Sequence, residues 1–197
     1  MNVLQHDRRS APEDSFHFLR RHSFGRPRDL VLIASELSSQ RSTLSEPRYC
    51  EIVRATSSTH LVANVFEEMR VFLDCLGDQD NRMRFLAALP ANILDRNDAI
   101  AVCAAFNGIT REMIHDFGED ASEIFHPFQD LYLAGLLGVV AVQQDSETLI
   151  QKFRGPDDLM NSLGSDLPSS AWYFLHPALS SFVRDLQKNS TFQHFQH

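Results

Sequence analysis

The sequence predicts a mainly α-helical protein with a small antiparallel sheet in its last third. Apolar residues recur at three- and four-residue spacing over most of the text, and strand-like text is confined to the stretch after Gly138. Gly and Pro stand at the ends of most of the periodic stretches, as helix starts and stops require. With 197 residues, 43% of them hydrophobic, the chain is long enough to bury a core.

Residues 1–14 are charged, contain Pro12 and show almost no apolar periodicity, so they read as a flexible extension. "SFHFLRRHS" then makes a short helical turn that Gly25 can end. Pro27 suits the first position of a helix through Leu30, Ile33, Ala34 and Leu37, which the loop "SSQRSTLS" closes. Pro47 starts the next, with Tyr49, Ile52 and Val53 at helical spacing, before the hydroxyl-rich "TSSTH" interrupts it. A longer helix presents Leu61, Val62, Val65, Phe66, Met69, Phe72, Leu73 and Leu76 on one broad face until Gly77 stops it. Two more helices follow at "NRMRFLAAL" and "DRNDAIAVCAAFN". Asp95 or Asn97 caps the second, and Asn107 with Gly108 ends it.

"PFQDLYLAGLLG" reads as helix up to Gly138, and "VVAVQQD" and "TLIQKFR" as two strands joined by a polar turn at Ser146 and Glu147. "AWYFLH" is a third strand, and "PALSSFVRDLQK" is a closing amphipathic helix. Alternation along that third strand makes one of Trp172 and Tyr173 core and the other surface, and Leu131, Leu133, Leu136 and Leu137 read as helix packing against the hairpin. His126-Pro127 and His176-Pro177 each open a helix, where proline supplies the preset backbone angle and histidine a structural role. Helices followed by a hairpin and one more strand give the pattern of a winged-helix unit. The division expected is an extension at 1–14, a helical region at 15–117, a winged-helix domain at 118–188 with a hairpin or three-stranded sheet, and a flexible tail at 189–197.

Composition narrows the function. Cys50, Cys75 and Cys103 are odd in number and widely spaced, which fits reduced buried thiols, and the nine histidines show no paired ligand spacing, so no metal site is expected. No apolar run approaches the roughly 18 residues of a membrane span and no secretory signal is visible, which points to the cytoplasm and away from membranes. The net charge is −8, but residues up to Arg54 carry nine arginines against seven acids and the rest nine basic residues against nineteen acids. A general nucleic-acid binder would carry a basic stripe. Between Gly118 and Leu137 the only basic group is His126, and on the expected wing only Lys152 and Arg154 could meet a phosphate backbone.

Phosphate chemistry is constrained in the same way. The lysines are Lys152 and Lys188, each preceded by glutamine, so neither belongs to a P-loop, and GxGxxG and GxSxG turns are absent as well. "GRPRD" places Arg26 and Arg28 around the first turn of a helix, whose dipole disfavours cations. Either an anion binds there, through amides and a planar guanidinium, or Asp29 compensates through a salt bridge from Arg28.

"FLRRHSFGRPRDLVLIASEL" resembles the segment just after the nucleotide-binding core of bacterial P-loop ATPases of the AAA/STAND type, where an arginine-containing RPRD signature opens a lid helix. "HPFQDLYLAGLLGVVAV", "IQKFRGPDD" and "AWYFLHPALSSFV" are similar, in the same order, to the winged-helix region that closes such proteins. The resemblance runs from about Ser15 to Gln187. It implies that the helical region is lid-like and that Arg28, with Arg26 second and Asp29 beside them, senses nucleotide phosphate. Only about two dozen residues precede the signature, too few for a nucleotide-binding domain. The resemblance therefore implies a module without the motor: not an enzyme, with no cofactor of its own, and with ATP entering only on a partner ATPase domain. The expected function is a non-catalytic regulatory module that binds a partner protein or ATPase domain in trans. The alternative is a winged-helix nucleic-acid-binding protein.

Overall fold

The computed structural model describes residues 3–4, 13–40, 43–110, 125–142, 149–154 and 167–193. It is mainly helical with a small antiparallel sheet, as the sequence predicts. Two compact units are present: 1–64 with Pro177–Asp185, and Val65–His176 with 186–197.

In the first unit the strands β1 (Val3–Leu4) and β2 (Glu13–Asp14) pair antiparallel, so the expected extension at 1–14 contains a strand pair. Asp14 then caps α1 (Ser15–Arg21), accepting the N–H groups of Phe16 and His17 at 2.9 and 3.0 Å. Pro27 opens α2 (Pro27–Ser39), and α3 (Glu46–Thr56) carries Pro47 in its first turn. Phe18, Ile33, Cys50, Val53 and Leu61 form the core, one or two apolar positions from each element. The Tyr49 hydroxyl closes the layer by donating to the Ser15 carbonyl at 2.9 Å.

"TSSTH" does not interrupt the helix. It forms a π-helical turn, Ser57–Leu61, that leads into α4 (Val62–Met69). The hydroxyls cause the widening: Ser57 Oγ donates to Val53 O and Thr59 Oγ1 to Ala55 O, both at 2.7 Å, and these side-chain bonds crowd the backbone ladder. The helix expected to run on to Gly77 stops at Met69, where a 3₁₀ turn at Arg70–Phe72 leads into an irregular segment. Phe72, expected on the buried face, is exposed.

The second unit holds α5 (Gln79–Ala87), β3 (Ile93–Asp95), α6 (Arg96–Asn107), α7 (His126–Leu133), β4 (Leu137–Val142), β5 (Leu149–Phe153) and β6 (Trp172–Leu175). Helix, strand, helix, helix and hairpin follow one another among the described elements. The sheet departs from the three strands expected, because its antiparallel order is β3-β6-β4-β5. The last strand in sequence is thus central, pairing with β3 on one side and β4 on the other. The sequence boundary at 117/118 would have separated β3 and α6 from the sheet they belong to, whereas the compact units part between Asn64 and Val65. The polar turn expected at Ser146 and Glu147 lies outside the described residues.

One sheet face carries Leu94, Tyr173, Leu175, Leu137 and Val139, all buried. It meets Phe128, whose ring stacks on Tyr173 at 6.1 Å and meets Phe85 edge-on at 5.6 Å. The helix expected to reach Gly138 ends at Leu133, because Gly135 turns the chain at φ 71° and the Leu136 N–H bonds back to Leu131 O at 2.8 Å. Gly138 lies in β4, where a Cβ would sit 2.5 Å from the Phe174 ring. The closing helix α8 (Pro177–Gln193) runs five residues into the stretch expected as a flexible tail, and Gln187 on it donates to Leu89 O at 2.7 Å.

Candidate functional site

Two side-chain constellations bear on function, one in each unit. In the first, Arg26 is the N-cap residue of α2 and Asp29 stands in its first turn, a favourable place for an acid at the positive end of the helix dipole. Asp29 is 2% exposed, and both its oxygens are taken. Arg26 Nε donates to Oδ2 at 2.8 Å and Arg26 Nη2 to Oδ1 at 2.9 Å, a two-pronged pair, while the Phe24 N–H reaches Oδ2 at 3.2 Å. Arg28 Nε is 3.9 Å from Asp29 Oδ1, and its side chain is 58% exposed. The expected Arg28–Asp29 ion pair is present but long, and the closer compensation comes from Arg26. Arg26 has a structural duty, and the Arg28 side chain is the more exposed of the two.

The second constellation gathers residues that the sequence reading kept apart. Asp130 lies one helical turn after His126 on α7 and is 1% exposed. Its Oδ2 accepts the N–H groups of Cys75 and Leu76 at 2.9 and 2.7 Å, so this carboxylate holds the irregular segment after Phe72 in place. Its Oδ1 is 3.6 Å from His126 Nδ1, and the same nitrogen is 3.3 Å from Cys75 Sγ. His126 Nε2 is 3.1 Å from Asp74 Oδ2. Burial pushes the Asp130 carboxyl above its ordinary range, against the lowering effect of the Leu76, Asp74 and Cys75 N–H groups and of His126. Burial, with the nearby Asp130 and Asp74 charges, pushes the Cys75 thiol up to about 12.

Cys75 was expected as an inert buried thiol and His126 as a helix opener, and His126 does open α7. One local signal existed: Asp130 interrupts an otherwise apolar helix text, "PFQDLYLAGLL". The pairing with Cys75 carried none, because 51 residues separate it from His126.

The remaining candidates are surface features. Lys152 is exposed on β5, at the sheet edge, with Arg154 just beyond it. On the outer sheet face Ile93 and Trp172 are 57% and 47% exposed, while the neighbouring Tyr173 is buried on the inner face, as strand alternation requires. A shallow cleft of about 230 Å³ opens between α2 and α3, lined by polar groups such as Glu36, Arg48, Glu51 and His60. Among the described residues no helix is long and apolar enough to cross a membrane. Comparison with family models, curated proteins and solved structures found no match to this chain.

Proposed function

We propose that the chain is a non-catalytic regulatory module that binds a partner protein in trans, and that a P-loop ATPase domain is that partner. The observation that supports this reading is the outer sheet face, where Ile93, opposite Phe174, and Trp172, opposite Asp95, are both exposed at diagonal positions of the β3–β6 pair. Tryptophan with an aliphatic neighbour is the composition of an interface centre, and covering an isoleucine-sized side chain is worth about 1.5–3 kcal/mol. Arg28, in the first turn of α2 with a side chain 58% exposed, is the residue on which the RPRD resemblance places phosphate sensing.

The non-catalytic reading draws on the Cys75 surroundings. Asp74, His126 and Cys75 line up as an acid, a base and a thiol. Yet the Cys75 and Leu76 N–H groups are both engaged by Asp130, and that carboxylate opposes a thiolate. A nucleic-acid role is less well supported. The helix α7, which precedes the hairpin, has no lysine or arginine, and its Phe128, Leu131 and Tyr132 are committed to the core.

The test is calorimetric titration of the purified chain with a candidate P-loop ATPase domain, with and without ATP. Saturable binding that Trp172→Ala weakens about tenfold or more, and that becomes insensitive to ATP in Arg28→Ala, is the expected result. No association in either condition, or a salt-sensitive gel shift of duplex DNA at low micromolar protein, would count against it.

A further inference from the structure

We propose that Cys75, His126 and Asp130 form a binding site for one divalent ion of the zinc class, which fastens the irregular segment after Phe72 to α7. This stands independently of the proposed partner. The three donor atoms, Cys75 Sγ, His126 Nδ1 and Asp130 Oδ1, lie within 4.8 Å of one another, with Sγ to Nδ1 at 3.3 Å and Nδ1 to Oδ1 at 3.6 Å. With metal–sulfur bonds of about 2.3 Å and metal–nitrogen or –oxygen bonds of about 2.0–2.1 Å, tetrahedral geometry sets donors roughly 3.3–3.6 Å apart. The two separations from Nδ1 thus match edges of a zinc tetrahedron, and the third, between Sγ and Oδ1, lies within 4.8 Å.

The surroundings orient each donor. Asp74 Oδ2 lies 3.1 Å from His126 Nε2, so that nitrogen donates its proton there and Nδ1 keeps a bare lone pair towards the sulfur. This is the carboxylate–histidine support that zinc ligands commonly have. Asp130 Oδ2 is occupied by the Cys75 and Leu76 N–H groups, which leaves Oδ1 as the oxygen on the His126 side. Without an ion the Cys75 S–H can donate to the imidazole lone pair, and a divalent ion takes the place of that proton among the three donors. One thiolate, one imidazole and one carboxylate select a borderline ion over magnesium or calcium, which prefer all-oxygen sites.

On binding, the Cys75 S–H bond breaks and a sulfur–metal bond forms, the proton passing to solvent, while the imidazole and the carboxylate add through the His126 Nδ1 lone pair and Asp130 Oδ1. The +2 of the ion balances the thiolate and the carboxylate. His126 is 39% exposed, so the fourth position opens to solvent and takes a water molecule.

The experiment uses the full chain, stripped with a chelator and titrated with zinc chloride by calorimetry and with cobalt(II) by absorption. One equivalent of zinc should bind at micromolar or tighter affinity, and cobalt should give a thiolate-to-cobalt charge-transfer band. Cys75→Ser should abolish the band and weaken zinc about tenfold or more, whereas Cys50→Ser should leave both intact. Asp130→Asn loses a buried anchor and can fail to fold, so Cys75→Ser, verified by circular dichroism, is the deciding variant. No stoichiometric zinc binding, a charge-transfer band that survives Cys75→Ser, or iodoacetamide alkylation of Cys75 that zinc fails to slow would each overturn the assignment.

Discussion

At the scale of single residues, burial separates side chains that look equivalent in the text. Arg26 and Arg28 flank the same proline, but only Arg26 makes the two-pronged pair with buried Asp29. Arg26→Ala should cost about 2–3 kcal/mol in urea unfolding, since it leaves a buried carboxylate short of its main partner, whereas Arg28→Ala should stay within about 0.5 kcal/mol. Cys103 is fully buried, and burial pushes its thiol up to about 12. The native state then holds this proton more tightly than the unfolded chain does. Its contribution is complete below the ordinary thiol value of 9.0 and is lost as pH rises towards about 12. Stability should therefore fall over that alkaline window, and the fall should be shallower in Cys103→Ala when both proteins are melted across it. Asp14 has the opposite sign. Its carboxyl is held below the ordinary value by its bonds to His17, so the advantage of wild type over Asp14→Ala in melting temperature should be present at neutral pH and vanish in acid.

At the scale of elements, close approaches and capping decide where structure changes. Gly138 admits no Cβ, because the Phe174 ring occupies that space. Gly138→Ala should destabilise the protein by about 1–3 kcal/mol through overpacking, measurable by denaturant midpoint with an unchanged slope. The π-helical turn has a comparable local origin in Ser57 and Thr59, whose hydroxyls bond to carbonyls one turn back. The helix stop at Met69 has a distant one, since Asp130 on α7 claims the N–H groups of Cys75 and Leu76 and offers this segment an alternative to helical bonding.

At the scale of the whole molecule, the sheet order sets which pieces of chain depend on one another. The strand β6 lies between β3 and β4, so a sheet assembled from residues after 117 alone would leave one edge of β6 unpaired and its Tyr173 face without Phe85. A fragment spanning 118–197 should show no cooperative thermal transition by circular dichroism. A fragment spanning 65–197, which restores α5, β3 and α6, should show one. Equal cooperativity in the two fragments would contradict the dependence of the sheet on β3.

Much of the fold was legible because its signals are local. Pro27, Pro47, Pro127 and Pro177 mark helix starts, Asp95 caps α6 by accepting the Asp98 N–H at 2.8 Å, and alternation separates Trp172 from Tyr173. The text by itself determined element type, the mainly helical class and the core face of most helices, since periodicity and capping act over one or two turns. Only the tertiary structure decided that β6 enters the sheet beside β3, that Arg26 makes the closer pair with Asp29, and that Cys75 meets His126 and Asp130. Strand order and side-chain convergence depend on contacts between residues tens of positions apart, where burial and competing partners choose among alternatives that local spacing leaves equal.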